Sequence, residues 1–362
     1  MSKNKHHFVS KFYLNAFKSA EKQIHLFNLK RLLAIKNASI RDQCYRHKFY
    51  GYTDETENYL SILENHIAPL LKSIIQGDIL PIEGTEAYYA LIAFVSLQLL
   101  RTPLAAERIN TSIDKMTKQA YSRDPRFSDL DKESFHFGYK DPVLASLKNL
   151  PLLLYSISDL KAQLVVSTAR FFLTSDNPAF KYNQYCEDIS YAGITGGLCR
   201  GLQIFIPLAP NIYLVLYDST VYKVERPDRI SRVSNASLSD IETLNEIQLI
   251  SANQNVYFSD YQQLQEILRL IPLVKRQRAS LSTVVKEYGQ DDNPNSSLLH
   301  TYHSTPCLKL NLSFLKIKRR ARRIKPKDRV NDYRKAMPTH PLPEPPDLKG
   351  RTVTFSRFLG QR

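Results

Sequence analysis

The chain has no apolar run of the ~18 residues needed to cross a bilayer. Its nearest approach, 87–100, is interrupted by Ser96 and Gln98 and reads as a buried helix. The start, Met1-Ser2-Lys3-Asn4-Lys5-His6-His7, is charged but has no apolar segment behind it, which argues against a signal peptide. Cysteine is scarce. Cys44, Cys186, Cys199 and Cys307 are scattered without a C-x-x-C pair, which speaks against a zinc knuckle or a disulfide frame and fits a reducing, cytoplasmic setting. Of only 11 glycines, four (Gly193, Gly196, Gly197 and Gly201) crowd into one loop. That loop lacks the Lys-Ser/Thr of a phosphate-binding P-loop and is not G-x-G-x-x-G, so it reads as a mobile connection or lid. Ser175 lacks a G-x-S-x-G elbow, and His25, His47 and His66 lack metal-ligand spacing.

What is present is enough for a substantial core. A chain of 362 residues, 43% apolar, can fill one large core or two modest ones. The formal charge of +15 is unevenly placed. Residues 309–362 hold 16 Lys and Arg against 4 Asp and Glu, whereas the rest of the chain holds 34 against 31. The body is therefore nearly neutral, and any argument from charge to partner concerns the tail. There Arg319, Arg320, Arg322, Arg323, Lys325 and Lys327 would bind nucleic acid by releasing counterions, with little sequence preference. A solvated tail, or one that binds acidic proteins, is the competing reading. Long apolar side chains are too few for a membrane-bound amphipathic helix.

Periodicity places the rest. An aromatic stripe after Ser10, a plausible N-cap, predicts a short helix over 10–17. Residues 57–76 carry Leu60, Leu63, Ile67, Leu71 and Ile74 on one face, with Pro69 expected to kink or split the helix. Glu64 falls inside that apolar arc, so its carboxylate must be paired or raised in pKa. Residues 85–102 are apolar nearly all round and predict the central helix, with Gln98 and Arg101 one turn apart. Residues 163–167 and 170–174 predict a hairpin, and 203–207 with 211–217 a second strand pair. The second strand of the first hairpin ends in Ser175-Asp176-Asn177-Pro178, where short polar side chains fix a turn and hold a carboxylate and an amide at a strand end.

Taken together, His6-His7-Phe8-Val9-Ser10-Lys11-Phe12-Tyr13-Leu14-Asn15-Ala16-Phe17, then Gln98-Leu99-Leu100-Arg101-Thr102-Pro103, then Phe172 through Pro178 resemble the bacterial family catalogued as domain of unknown function 4238. Residues 205–210 and 245–257 look like its later strand and closing helix, so the resemblance spans roughly residues 6–260. The family usually has proline where this chain has Ser10; either residue starts a helix. The resemblance implies no activity, but it marks which polar residues belong together.

The expected fold is α+β: a helical first half packed on an antiparallel sheet that includes 170–174 and 203–217. A single domain is expected over 1–272, a polar linker over 273–307 and a basic, Pro-containing, largely disordered tail over 308–362. The candidate site joins His6, His7, Arg101 and Asp176 as catalytic groups, Gln98, Asn177 and Ser175 as substrate contacts, and Glu64 in support. A histidine moves protons, a guanidinium holds phosphate, and carboxylates with a histidine could hold a divalent metal. The leading expectation is a nuclease-like hydrolase of a phosphate-containing substrate, brought to nucleic acid by the tail. The alternative is a non-catalytic nucleic-acid-binding or interaction protein whose polar cluster, with Asp176 or Glu64 as the counter-ion of Arg101, is structural.

Overall fold

The computed structural model describes residues 5–127, 131–225, 232–290, 293–306, 308–329 and 332–335. Lys5–His7 (β1) leads into a one-turn helix, Lys11–Asn15 (α1), whose Tyr13 and Leu14 are buried. Gln23–Asn28 (β2) and Leu33–Ser39 (β3) pair as a hairpin, and Tyr45–His47 (β4) returns to β1 with Arg46 opposite His6. Glu55–Gly77 (α2) buries Leu60, Ile67, Leu71 and Ile74, and it continues as one helix through Pro69 instead of splitting.

Glu86–Leu100 (α3) has no wet face: nine of its residues, including Ser96 and Gln98, are buried. A helix apolar on all sides has to be enclosed, and α3 is indeed the central one. It stops at Arg101. Thr102 then caps Pro103–Tyr121 (α4) by accepting the Ala105 amide, with Pro103 in the first turn where its missing N–H costs nothing. Among the described residues no single helix is long and apolar enough to cross a membrane; α3 and α4 together reach the length but meet at a 60° bend. Pro142–Leu147 (α5) and Leu150–Ile157 (α6) complete the helical half.

Lys161–Val166 (β5), Thr174–Ser175 (β6), Phe180–Tyr182 (β7), Gln203–Ala209 (β8), Ile212–Tyr217 (β9), Tyr222–Val224 (β10), Val233–Asn235 (β11), Leu238–Ser251 (α7) and Asn255–Phe258 (β12) follow. A five-stranded sheet has the order β11-β5-β9-β8-β7, and a four-stranded sheet the order β3-β2-β12-β6. The fold is α+β, as expected. The sheets differ in detail: β5 does not form a hairpin with the 170–174 stretch. It pairs with β9 and, in parallel, with β11, while Thr174 and Ser175 join β12 in the other sheet. Two short apolar runs three residues apart suggest a hairpin, but burial of Phe172 and Leu173 in separate clusters pulls the second run to another layer.

The chain beyond 272 also departs from the linker-and-tail expectation. Gln263–Ala279 (α8) runs through the start of the expected linker, and Thr283–Gln290 (β13) and Asn293–His303 (β14) pair as a long hairpin. Leu310, Leu312, Phe314 and Leu315 are buried in the second core cluster, and Leu315–Ile317 (β15) pairs with β10. Apolar residues alternating with polar ones carried enough burial to keep this stretch on the body. Residues 336–362, on which much of the expected disorder falls, lie outside the described residues.

Candidate functional site

The polar residues singled out from the sequence form two networks, not one. The first gathers around Arg101. At the end of α3 its side chain is 1% exposed, and a buried guanidinium needs a counter-charge. Glu64, on the apolar arc of α2, supplies it: Arg101 Nη1 donates to Glu64 Oε1 at 2.6 Å. Ser10 Oγ donates to the same oxygen at 2.7 Å and accepts from Arg101 Nη2 at 2.5 Å, which closes a three-membered network. Ser10 stands at the N-cap position of α1, yet its hydroxyl caps nothing because it is committed here. Burial opposes the Arg101 charge, but Glu64 and Tyr50 more than offset it and hold the pKa above the ordinary arginine value. Glu64 is thus paired, one of the two outcomes its position required.

His7 lies at the rim of this network. It is half-buried, and its Nε2 is 3.1 Å from the Arg41 carbonyl oxygen. A carbonyl only accepts, so the bond assigns the proton to Nε2 and leaves Nδ1 as a bare acceptor in the neutral ring. Burial lowers the His7 pKa against the raising effect of the Arg41 bond, and the charges of Lys11, Glu64 and Arg101 all reach the ring. His6 points the other way. It is 1% exposed, its Nδ1 accepts the Tyr50 amide at 3.0 Å, and its ring stacks on Tyr50 at 5.5 Å. The strand period explains this: adjacent residues of β1 face opposite sides, so only one of the two histidines can reach the rim.

The second network surrounds the strand-end turn. Asp176 is 4% exposed and does not contact Arg101 or a histidine. Its carboxylate accepts the backbone amides of Asn253, Gln254 and Asn255 at 2.7, 2.8 and 3.0 Å, pinning the connection between α7 and β12. Burial pushes its pKa up to about 6, while the three amides and the Arg278 charge pull the other way. Arg278 secures the same connection through the carbonyls of Leu249, Ile250, Ala252 and Asn253. Ser175 Oγ donates to Gln248 Oε1 at 3.0 Å, and Asn177 Nδ2 donates to the Ser251 carbonyl and hydroxyl. The catalytic role expected of Asp176 and the substrate contacts expected of Ser175 and Asn177 give way to backbone fastening. The networks touch at one point, where Thr102 Oγ1 donates to Asn177 Oδ1 at 2.8 Å.

Gln98 is buried, and its Oε1 has no partner; Arg101 Nε is likewise unpartnered. Such orphaned atoms are uncommon in native cores and leave bonds to be made by a guest or water. Among the described residues no group of three or more His, Cys, Asp and Glu side chains is placed to hold a metal ion, so the expected divalent cation has no ligand set there. An open cleft of about 610 Å³ between residues 168–171 and 260–269 contains none of these side chains.

The basic run is ordered, not loose. Arg319–Arg322 (α9) is anchored by buried Ala321, and Arg319, Arg320, Arg322, Arg323 and Lys325 are exposed around it; the Lys327 side chain lies outside the described residues. Lys223 and Lys316 face each other across β10 and β15 beside this helix. Sequence reasoning missed Ser10 as a network member and Lys11 and Arg41 as neighbours of His7. The absence of Glu or Gln three residues after Ser10 was a signal that its hydroxyl serves no capping box.

A family model described as "Protein of unknown function (DUF4238)" matches residues 5–262. Comparisons with curated proteins and with solved structures gave no match.

Proposed function

Because this chain belongs to the DUF4238 family, which carries no reaction with it, we propose from the geometry that it is a nuclease-like hydrolase acting on a phosphate-containing substrate, with His7 as its general base. The observation that carries this reading is the Nε2–H bond of His7 to the Arg41 carbonyl, which turns an unprotonated Nδ1 toward no protein partner among the described residues. The lowered pKa keeps that nitrogen unprotonated near neutrality. In the reaction His7 Nδ1 takes a proton from water as the water oxygen bonds to phosphorus and the ester oxygen departs. Glu64 stabilises the imidazolium that forms. Arg101 is a positioning residue in this scheme, because Glu64 and Ser10 occupy its Nη atoms. Lys11, exposed and felt at His7, is the cation available to the phosphate. Among the described residues Cys44, Cys186 and Cys199 are buried or half-buried and free of disulfides, which suits the bacterial cytoplasm.

The test is cleavage of single-stranded nucleic acid and of a simple phosphodiester by wild type and His7→Gln. The variant should lose about 10²-fold in turnover with little change in Tm. Equal turnover in the two proteins would remove His7 from the chemistry.

The second reading, nucleic-acid binding without catalysis, is favoured by the exposed arginines on an ordered helix beside Lys223 and Lys316. Changing Arg319, Arg320, Arg322 and Arg323 together to Gln should weaken duplex binding and flatten the plot of log affinity against log salt by about 0.9 for each phosphate no longer neutralised. An unchanged slope would exclude this face from binding.

A further inference from the structure

The pairing of β1 with β4 sets more than the direction of His7. In the antiparallel register Lys5 stands opposite His47 and His7 opposite Tyr45. Alternation along both strands puts these four on the face away from buried His6. Their contacts agree. The half-buried Tyr45 ring is the hub: Lys5 Nζ lies 4.4 Å from its centroid, the His7 ring 5.8 Å away, and the exposed His47 ring stands edge-on at 5.6 Å.

The flanking backbone adds cations and a further ring. His7 Nε2 bonds the carbonyl of Arg41, which sets that residue beside the histidine, and the Arg41 side chain is 77% exposed. Past His47 the chain turns, closed by the Gly51 amide donating to the Lys48 carbonyl at 3.1 Å. Here Lys48 Nζ lies 4.5 Å from the centroid of Tyr52, a ring that is 78% exposed. Across residues 5–7 and 41–52 stand Lys5, Arg41, Arg46 and Lys48 against one acid, Asp42, which Lys5 meets at 2.9 Å.

Exposed rings interleaved with cations suit a polyanion whose bases are free. The phosphates take the charge, and every unpaired base has a face to stack. We infer that this face binds single-stranded nucleic acid, with unpaired bases on the His47 and Tyr52 rings and phosphates at Lys5, Arg41 and Lys48. A duplex offers its phosphates but keeps its bases inside the stack, beyond reach of the rings. An acidic protein segment would engage the cations and leave the rings uncovered. The inference names the substrate class for the reaction proposed at His7 and rests on that reading for cleavage, though not for binding.

Fluorescence anisotropy of a labelled oligothymidylate tests it, with full-length His7→Gln as the host. Binding is then read without turnover, so failure of the proposed chemistry leaves the result standing, and loss of binding leaves the chemistry to its own assay. In that host, His47→Ala and Tyr52→Ala should each weaken binding at least ~5-fold with Tm unchanged. His47→Phe, which keeps a ring, should retain it. Arg41→Gln and Lys48→Gln should each flatten the plot of log affinity against log salt by about 0.7. Affinity for the duplex with oligodeoxyadenylate should not respond to the two ring variants. Four results would each overturn the inference: no binding of the oligothymidylate, binding that both ring variants retain, an equal loss of duplex binding in those variants, or polyglutamate bound with the same dependence on the rings.

Discussion

Asp176→Ala should lower the stability of the protein by about 3–5 kcal/mol, the largest single-residue effect expected in this chain. The carboxylate accepts from three backbone amides in the connection between α7 and β12. A buried donor left unpaired costs about 1–3 kcal/mol, and partial hydration of the loosened 253–255 segment keeps the total below the simple sum. Asp176→Asn keeps one acceptor but turns an NH2 toward amide donors, so it should be intermediate. The pH dependence has a definite sign. The folded-state pKa, about 6, lies above the ordinary value of 3.8. Between those values the folded protein holds a proton that the unfolded chain has lost. The stability from this group is therefore fullest below about 4, falls as pH rises toward 6 and is level above that. Relative to Asp176→Asn, wild type should gain on the order of 3 kcal/mol between pH 7 and pH 4. Chemical denaturation across that range checks it; a gain for the variant on acidification would reverse the sign.

Glu64→Ala is the second large effect, about 3 kcal/mol, and its asymmetry with Arg101→Met is more telling than its size. Removing Glu64 strands a guanidinium that is 1% exposed, whereas removing Arg101 leaves a carboxylate that is 27% exposed and can hydrate. The arginine variant should therefore cost about half as much. Urea unfolding of both variants decides the point. Equal destabilisation would mean that the pair acts only through its mutual attraction.

Much of this was legible in the chain. Glu64 inside an apolar arc announced a pair, and α3, apolar on every side, announced its own enclosure. The Thr102-Pro103 step marked the break before α4. What stayed hidden depended on partners far apart in sequence. Asp176 and Arg101 are both buried charges near helix or strand ends, and nothing local says that one meets Glu64 and the other meets backbone amides 77–79 residues away. His6 and His7 look equivalent until β1 is paired and its alternation assigns one inward and one to the rim.

The two networks make opposite demands on one pair of variants. Turnover on a phosphodiester and melting temperature, measured side by side for His7→Gln and Asp176→Ala, test the division between them most directly. His7→Gln should lose turnover about 10²-fold and keep its melting temperature. Asp176→Ala should melt several degrees lower and, assayed well below its midpoint, turn over at a rate close to wild type. Full turnover in the histidine variant together with an inactive, thermally unchanged aspartate variant would contradict it.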